Sequence, residues 1–307
     1  MIDPSLLFEQ LFNGVQYGML LFLLAAGLTL VFGIMDLMNL AHGSLYMMGA
    51  YIAATATRVF DSFLLGIVVA LPAVLVLGIL IEMLVLRRLY ARGHLDQVLA
   101  TFGLILFFNE LVRLIWGPEG IEVGLPPFLN EALTVFGIPL PVYRIVVIGV
   151  GLLVAAFLYV LVVKTRTGML IRAGASNREM VGALGVDIKK VFTLVFGLGA
   201  ALAALAGCLA GPIFAATIGM GENILIQVLV VIVIGGIGSI RGAFFGALLI
   251  GVIEILGRSF LDKFFELFLS VNAAETAAPA AASMLIYVLM ALVLFFRPQG
   301  LFPARTG

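Results

Sequence analysis

Polar side chains are scarce in this 307-residue chain, and their placement limits the chemistry it can do. The densest group comes early: Asn13, Gln16 and Tyr17, then Asp36, Asn39, His42 and Ser44. Hydrocarbon makes an unsatisfied polar group costly, so these are the informative positions of the chain. The stretch GIMDLMNLAHGSLYMMGAY, residues 33–51, sets a polar, glycine-bearing break between two apolar runs. Two readings fit it: a binding site built from discontinuous helices, or an ordinary turn with His42 as an interfacial helix cap. His42 has no cysteine or second histidine nearby, which argues against a metal site. Neither GxxxxGK[ST] nor GxGxxG occurs, so any work driven by ATP needs a nucleotide site on another polypeptide.

The second polar feature is the loop at 164–190, KTRTGMLIRAGASNREMVGALGVDIKK, with six basic residues. Ser176-Asn177-Arg178-Glu179 has the pattern of a capping box, with Ser176 as the cap and Glu179 reaching back. Gly185 supplies a stop. The spacing predicts a helix of about two turns, Asn177 to Leu184, with Asn177, Met180, Val181 and Leu184 on one side. Helices this short are marginal alone in water, so a partner surface is expected to hold it.

These features sit in sequence built for lipid. Hydrophobic residues make up 63% of the chain and charged residues 11%, against roughly 25% in soluble domains. The class is therefore an all-α polytopic membrane protein. Seventeen basic residues balance seventeen acidic ones, which argues against a nucleic-acid partner. The lone Cys208 lies in an apolar run and reads as a packing residue. MIDPSLLFEQ lacks the basic start of a cleaved signal, so the first apolar run is expected to stay as a helix.

About 20 apolar residues span a bilayer core of roughly 30 Å. By that measure about nine membrane segments (eight to ten) are predicted, near 11–33, 40–57, 63–86, 97–115, 143–163, 191–216, 224–238, 242–261 and 283–296. The segments at 40–57 and 224–238 are short and rich in glycine or polar residues, which reads as broken or re-entrant backbone. Placing the 164–190 loop in the cytoplasm brings Arg87, Arg88, Arg92, Arg241, Arg297 and Arg305 to the same side. Arg58, Arg113, Arg144, Arg258 and Lys263 then lie outside. The positive-inside rule prefers this arrangement, with the N-terminus outside and the C-terminus inside. The 117–142 segment, with its prolines and glycines, forbids a long helix and reads as a surface loop or short element. The whole chain, 1–307, is expected to form one transmembrane domain.

Glycine pairs at Gly14/Gly18, Gly207/Gly211 and Gly238/Gly242/Gly246 have the spacing that lets helix backbones approach closely. Glu254 with Arg258, and Glu110 with Arg113, are spaced to pair on helix faces near an interface. The break at 33–51 is echoed by VIGGIGSIRGAFFGALLIGVIE, where a glycine-rich break again separates two apolar runs.

Taken together, NLAHGSLYMMGAY, ATFGLILFFNE, TRTGMLIRAGASNREMVGALGV, GGIGSIRGAFFGALLIGVIE and FRPQGLF resemble the branched-chain amino acid ABC permeases. More narrowly, the chain is similar to the H-type member of the paired permeases in the hydrophobic amino acid uptake family. The resemblance implies the permease fold of ABC importers in a bacterial or archaeal cytoplasmic membrane. It also implies a second, M-type permease, two cytoplasmic ATPases holding ATP and Mg, and an extracytoplasmic substrate-binding protein. No cofactor is expected on this chain itself. The short helix then matches the element that docks on the ATPase, carried by Arg172, Ala173, Ser176, Asn177, Glu179, Met180, Leu184 and Gly185. Candidates for lining the substrate path are Asn13, Gln16, Asn39, His42, Gly43, Thr101, Asn109 and Gln227.

Branched-chain or other hydrophobic amino acids are the expected cargo, with urea, amides or aromatic carboxylates as the alternative on the same machinery. A secondary transporter or channel driven by a gradient is the reading from another class, and it predicts ionisable residues at mid-membrane. A non-transporting assembly subunit is disfavoured by the polar break near His42.

Overall fold

The computed structural model describes residues 4–90, 92–135 and 137–303; Arg305 lies outside the described residues. Twelve α-helices and one hairpin make up the chain within them. Helices α1 (Pro4–Met35), α2 (His42–Phe60) and α3 (Phe63–Leu84) come first. A 3-10 turn at Leu86–Arg88 leads to α4 (His94–Trp116). The 117–142 segment is not a loop alone. It holds the single turn α5 (Pro127–Asn130) and an antiparallel hairpin of β1 (Ala132–Val135) and β2 (Ile138–Pro141). Pro139 and Pro141 keep the second strand to two-stranded pairing, because proline donates nothing to a ladder. Then follow α6 (Val142–Lys164), α7 (Arg166–Ser176), α8 (Arg178–Ala183), α9 (Ile188–Phe214), α10 (Met220–Gly235), α11 (Ile240–Phe265) and α12 (Val271–Phe296).

Seven of the described helices are long and apolar enough to cross a bilayer: α1, α3 extended through the 3-10 turn, α4, α6, α9, α11 and α12. The two remaining predicted segments are α2, of 19 residues, and α10, of only 16. At ~1.5 Å per residue α10 covers about 24 Å, short of a bilayer core. Of the about nine predicted segments, seven are helices long and apolar enough to span, and the two shorter ones are those expected to be broken or re-entrant.

Helix α1 is apolar all round and sits at the centre, buried almost continuously from Gly18 to Val31. Helices α6, α9, α10 and α11 surround it. Backbones meet where glycine removes a side chain. A Cβ on Gly251 of α11 would lie 2.5 Å from the Gly18 Cα and 2.6 Å from the Gly14 carbonyl oxygen of α1. A Cβ on Gly49 of α2 would lie 2.5 Å from the Ala204 Cα of α9, and one on Gly207 would overlap the Tyr46 carbonyl. Cys208 is buried in the same α2–α9 contact, with its Sγ 3.5 Å from the Gly49 carbonyl. Large exposed apolar side chains line α3, α4, α6 and α12 instead, as a lipid-facing shell requires.

One end carries a group of basic residues that includes Arg87, Arg172, Arg178 and Arg241. There Glu82, fully buried, accepts from Arg87 Nε (3.1 Å) and Nη2 (2.9 Å), Tyr90 Oη (2.6 Å) and Thr193 Oγ1 (2.8 Å). This cluster ties the end of α3 to the start of α9. Burial, and then the hydrogen bond to Glu82, hold the Tyr90 phenol well above its usual range. The pairs Glu254–Arg258 (2.6 Å) and Glu110–Arg113 (3.0 Å) form as spaced.

Two outcomes follow. Gly251→Leu should destabilise the subunit by about 3 kcal/mol through overpacking, read as lower thermal stability in detergent. Gly103→Leu on α4, where a Cβ meets nothing within 4 Å, should leave it unchanged. Glu82→Ala should cost about 2–3 kcal/mol by stranding Arg87 and Thr193, while Glu82→Gln should cost less, since the amide oxygen still accepts.

Candidate functional site

The polar break folds inward. Asp36, in the left-handed region at φ 50°, ends α1. The chain through Asn39 then climbs back before α2 begins at His42. The His42 imidazole is fully buried, with Nε2 3.0 Å from where a Cβ on Gly27 would stand. Gly27 is eight residues before the end of α1, so α2 starts about 12 Å inside that end. His42 is therefore buried at the depth of Gly27 and is not an interfacial cap. Its ring lies beside the Leu24 carbonyl without a well-formed hydrogen bond. Both polar side-chain atoms of Asn39 are likewise buried and unpartnered.

A second helix begins at the same depth. Gly43, second in α2, packs so closely on Gly221, second in α10, that a Cβ on either would overlap the other's carbonyl. Glu222, one residue on, accepts a hydrogen bond from Asn109 Nδ2. Asn109 stands two turns, about 10 Å, before the end of α4, where Trp116 Nε1 donates to Thr55 of α2 at 2.7 Å. Two helix N-termini therefore open toward one another inside the body of the subunit. Neither has a side-chain cap on its first amides.

Of the predicted path residues, the structure brings Asn39, His42, Gly43 and Asn109 to this junction. Thr101 lies below it, fully buried and donating to the Gln97 carbonyl at 2.8 Å, so it lines no open space. Gln227 accepts from Tyr17 Oη across α10 and α1. Gln16 is buried with its Nε2 unpartnered. Asn13 is elsewhere: it accepts from Arg144 at the start of α6. Sequence reasoning passed over Glu222. Its signal was a lone acid between two uncharged runs, directly after Gly219 and Gly221.

At the basic end, α7 and α8 project as two capped rods. The predicted capping box is corrected. Ser176 is the last residue of α7, and Asn177 caps α8, its Oδ1 accepting from the Met180 amide at 2.9 Å. Glu179 makes no reciprocal bond and sits in the first turn, where it complements the helix dipole. Sequence reasoning also missed α7, where Thr165 accepts from the Gly168 amide at 3.0 Å and Arg172 and Ala173 lie mid-helix. The stop is as expected. Gly185 has φ 87°, its amide bonds the Gly182 carbonyl (3.0 Å), and the Val186 amide bonds that of Val181 (3.3 Å). Only glycine enters that left-handed turn without strain. Val181 is buried, whereas Met180 and Leu184 are 59% and 77% exposed. Asp187 then caps α9; the Lys190 amide, and the Lys190 charge, hold its carboxyl below the usual range.

Beside the rods lies a cleft of about 1360 Å³ between α1, α6, α7 and the α10–α11 break, with Arg172, Arg178 and Arg241 on its walls. The tail closes one side: the Leu301 and Phe302 amides bond the Ile234 and Gly235 carbonyls.

Comparison with known proteins agrees with this architecture. Residues 10–294 match the family described as branched-chain amino acid transport system / permease component. The chain is 32% identical to the high-affinity branched-chain amino acid transport permease BraD of Pseudomonas aeruginosa, over 95% of this chain and 94% of that one. It is 30% identical to LivH of Escherichia coli over the same shares. At 24% it also resembles the ribose import permease RbsC of Escherichia coli, over 80% of this chain and 77% of that one. No solved structure matches. The chain belongs to the branched-chain amino acid transport permease family.

Proposed function

We propose that this chain is the transmembrane subunit of an ATP-driven importer for branched-chain amino acids, working by alternating access. The observation that carries the mechanism is the α7–α8 element. A rod capped by Asn177 and stopped by Gly185 transmits displacement, and Met180 and Leu184 leave apolar surface for a partner. In this reading each of two cytoplasmic ATPases, holding ATP and Mg, receives such a rod, and a second, M-type permease completes the passage. A substrate-binding protein delivers cargo on the far side. The basic end, with Arg87, Arg88, Arg172, Arg178 and Arg241, then faces the cytoplasm by the positive-inside rule, placing the N-terminus outside. The subunit forms one transmembrane domain in the inner membrane.

A gradient-driven mechanism has one observation in its favour, the acid Glu222 at depth. Uptake of leucine into proteoliposomes holding the whole complex separates the two. The ATP-driven reading expects uptake that requires ATP and survives ionophores; uptake abolished by ionophores but not by ATP depletion overturns it.

Gly185→Val should leave the fold intact and ATP hydrolysis running while uptake falls by about ten-fold or more, because a β-branched residue strains the left-handed stop. Normal uptake by this variant counts against the coupling role of α8.

A further inference from the structure

Glu222 and Asn109 meet within the body of the subunit. Glu222 Oε1 accepts from Asn109 Nδ2 across α10 and α4. Glu222 Oε2 and Asn109 Oδ1 are both shielded from solvent and have no donor. Two unpartnered acceptor oxygens thus belong to one hydrogen-bonded pair, with Asn109 about 10 Å inside the end of α4. An unpaired buried acceptor is costly, and an unpaired carboxylate more so. A compact cation with several N–H donors has the chemistry to satisfy both oxygens.

Around the pair the flanking side chains meet solvent while the two unpartnered oxygens themselves are shielded. Thr217 and Asn223 are exposed, and Glu222 and Asn109 are partly so. The backbone at Ala215–Gly219 is not helical, and such backbone is tolerated at membrane depth only under protein or beside a water-filled cavity. On the other side the junction is closed by the Gly43–Gly221 contact. The carboxylate also folds back to within 3.4 Å of where a Cβ on Gly219 would stand, as an acid in the third position of a helix does. No side-chain cap hydrogen bond forms there, however, and capping does not account for the Asn109 contact.

We propose that the Asn109–Glu222 pair is the membrane-depth recognition site for the α-ammonium of the transported amino acid. Resting on the importer reading above, this names which end of the cargo the permease itself holds. The ammonium donates to Glu222 Oε2 and Asn109 Oδ1. The first amides of α2 and α10, free of side-chain caps, lie close by on the positive ends of their helices, where a carboxylate is favoured. The side chain of the cargo is left to the apolar walls, which fits a passage tolerant of several aliphatic residues.

The test uses the complete complex in proteoliposomes, with leucine as the probe. Glu222→Gln keeps the shape and the capping capacity of the side chain but removes the charge. It should cut ATP-dependent leucine uptake about ten-fold or more, while ATP hydrolysis stimulated by the leucine-loaded binding protein stays within about two-fold of wild type. Glu222→Asp should restore part of the uptake, and Asn109→Ala should reduce it at unchanged stimulated hydrolysis. Uptake by Glu222→Gln equal to wild type overturns the proposal and leaves the importer reading intact. If stimulated hydrolysis falls in parallel with uptake in Glu222→Gln and Asn109→Ala alike, the pair is structural and the proposal is also wrong. Failure of the wild-type complex to take up leucine with ATP instead removes the importer reading itself.

Discussion

Close approach of backbones through small residues is the constraint on which this subunit rests. Lipid tails are as apolar as leucine, so burying apolar surface between helices gains little inside a membrane. What remains is contact distance. Gly14 and Gly18 of α1 receive Gly251 of α11, Gly49 of α2 receives Ala204 of α9, and Gly43 receives Gly221. At these points no side chain intervenes and dispersion acts at its shortest range. The polar cluster of Glu82, Arg87, Tyr90 and Thr193 adds a directional bond at the end where the surface meets water.

The same closeness makes the two half-buried helix starts possible. Uncapped amides at the beginnings of α2 and α10 would be untenable against hydrocarbon. They are tolerated because α1, α4 and α9 enclose them and because the helices meet through glycines. The subunit thereby holds polar backbone at depth with few polar side chains. His42 and Asn39 remain buried without partners and concentrate the cost at a single junction.

Much of this was legible in the sequence, and the limits have physical causes. Long apolar runs gave α3, α4, α6 and α9 nearly to their ends, because hydropathy alone decides them. The small-residue pairs Gly14/Gly18 and Gly207 were readable from spacing, although not which helix each would meet. Gly185 was readable because no other residue suits a left-handed stop. The cap was misplaced by one residue, since Ser176 and Asn177 are both good caps and only the unforeseen α7 decides between them. The partnership of Asn109 with Glu222 was not legible. It joins residues more than a hundred positions apart, through a break whose depth no local pattern encodes.

The packing of α1 on α11 has a bearing on how the protein is made. Gly14 and Gly18 enter the bilayer first, but the helix that fills their groove begins only at residue 240. During synthesis the central helix must wait in lipid with an empty notch along one side. The last face of α1 is thus covered late, and a chain arrested before α11 would leave the Gly14–Gly18 notch of its central helix open.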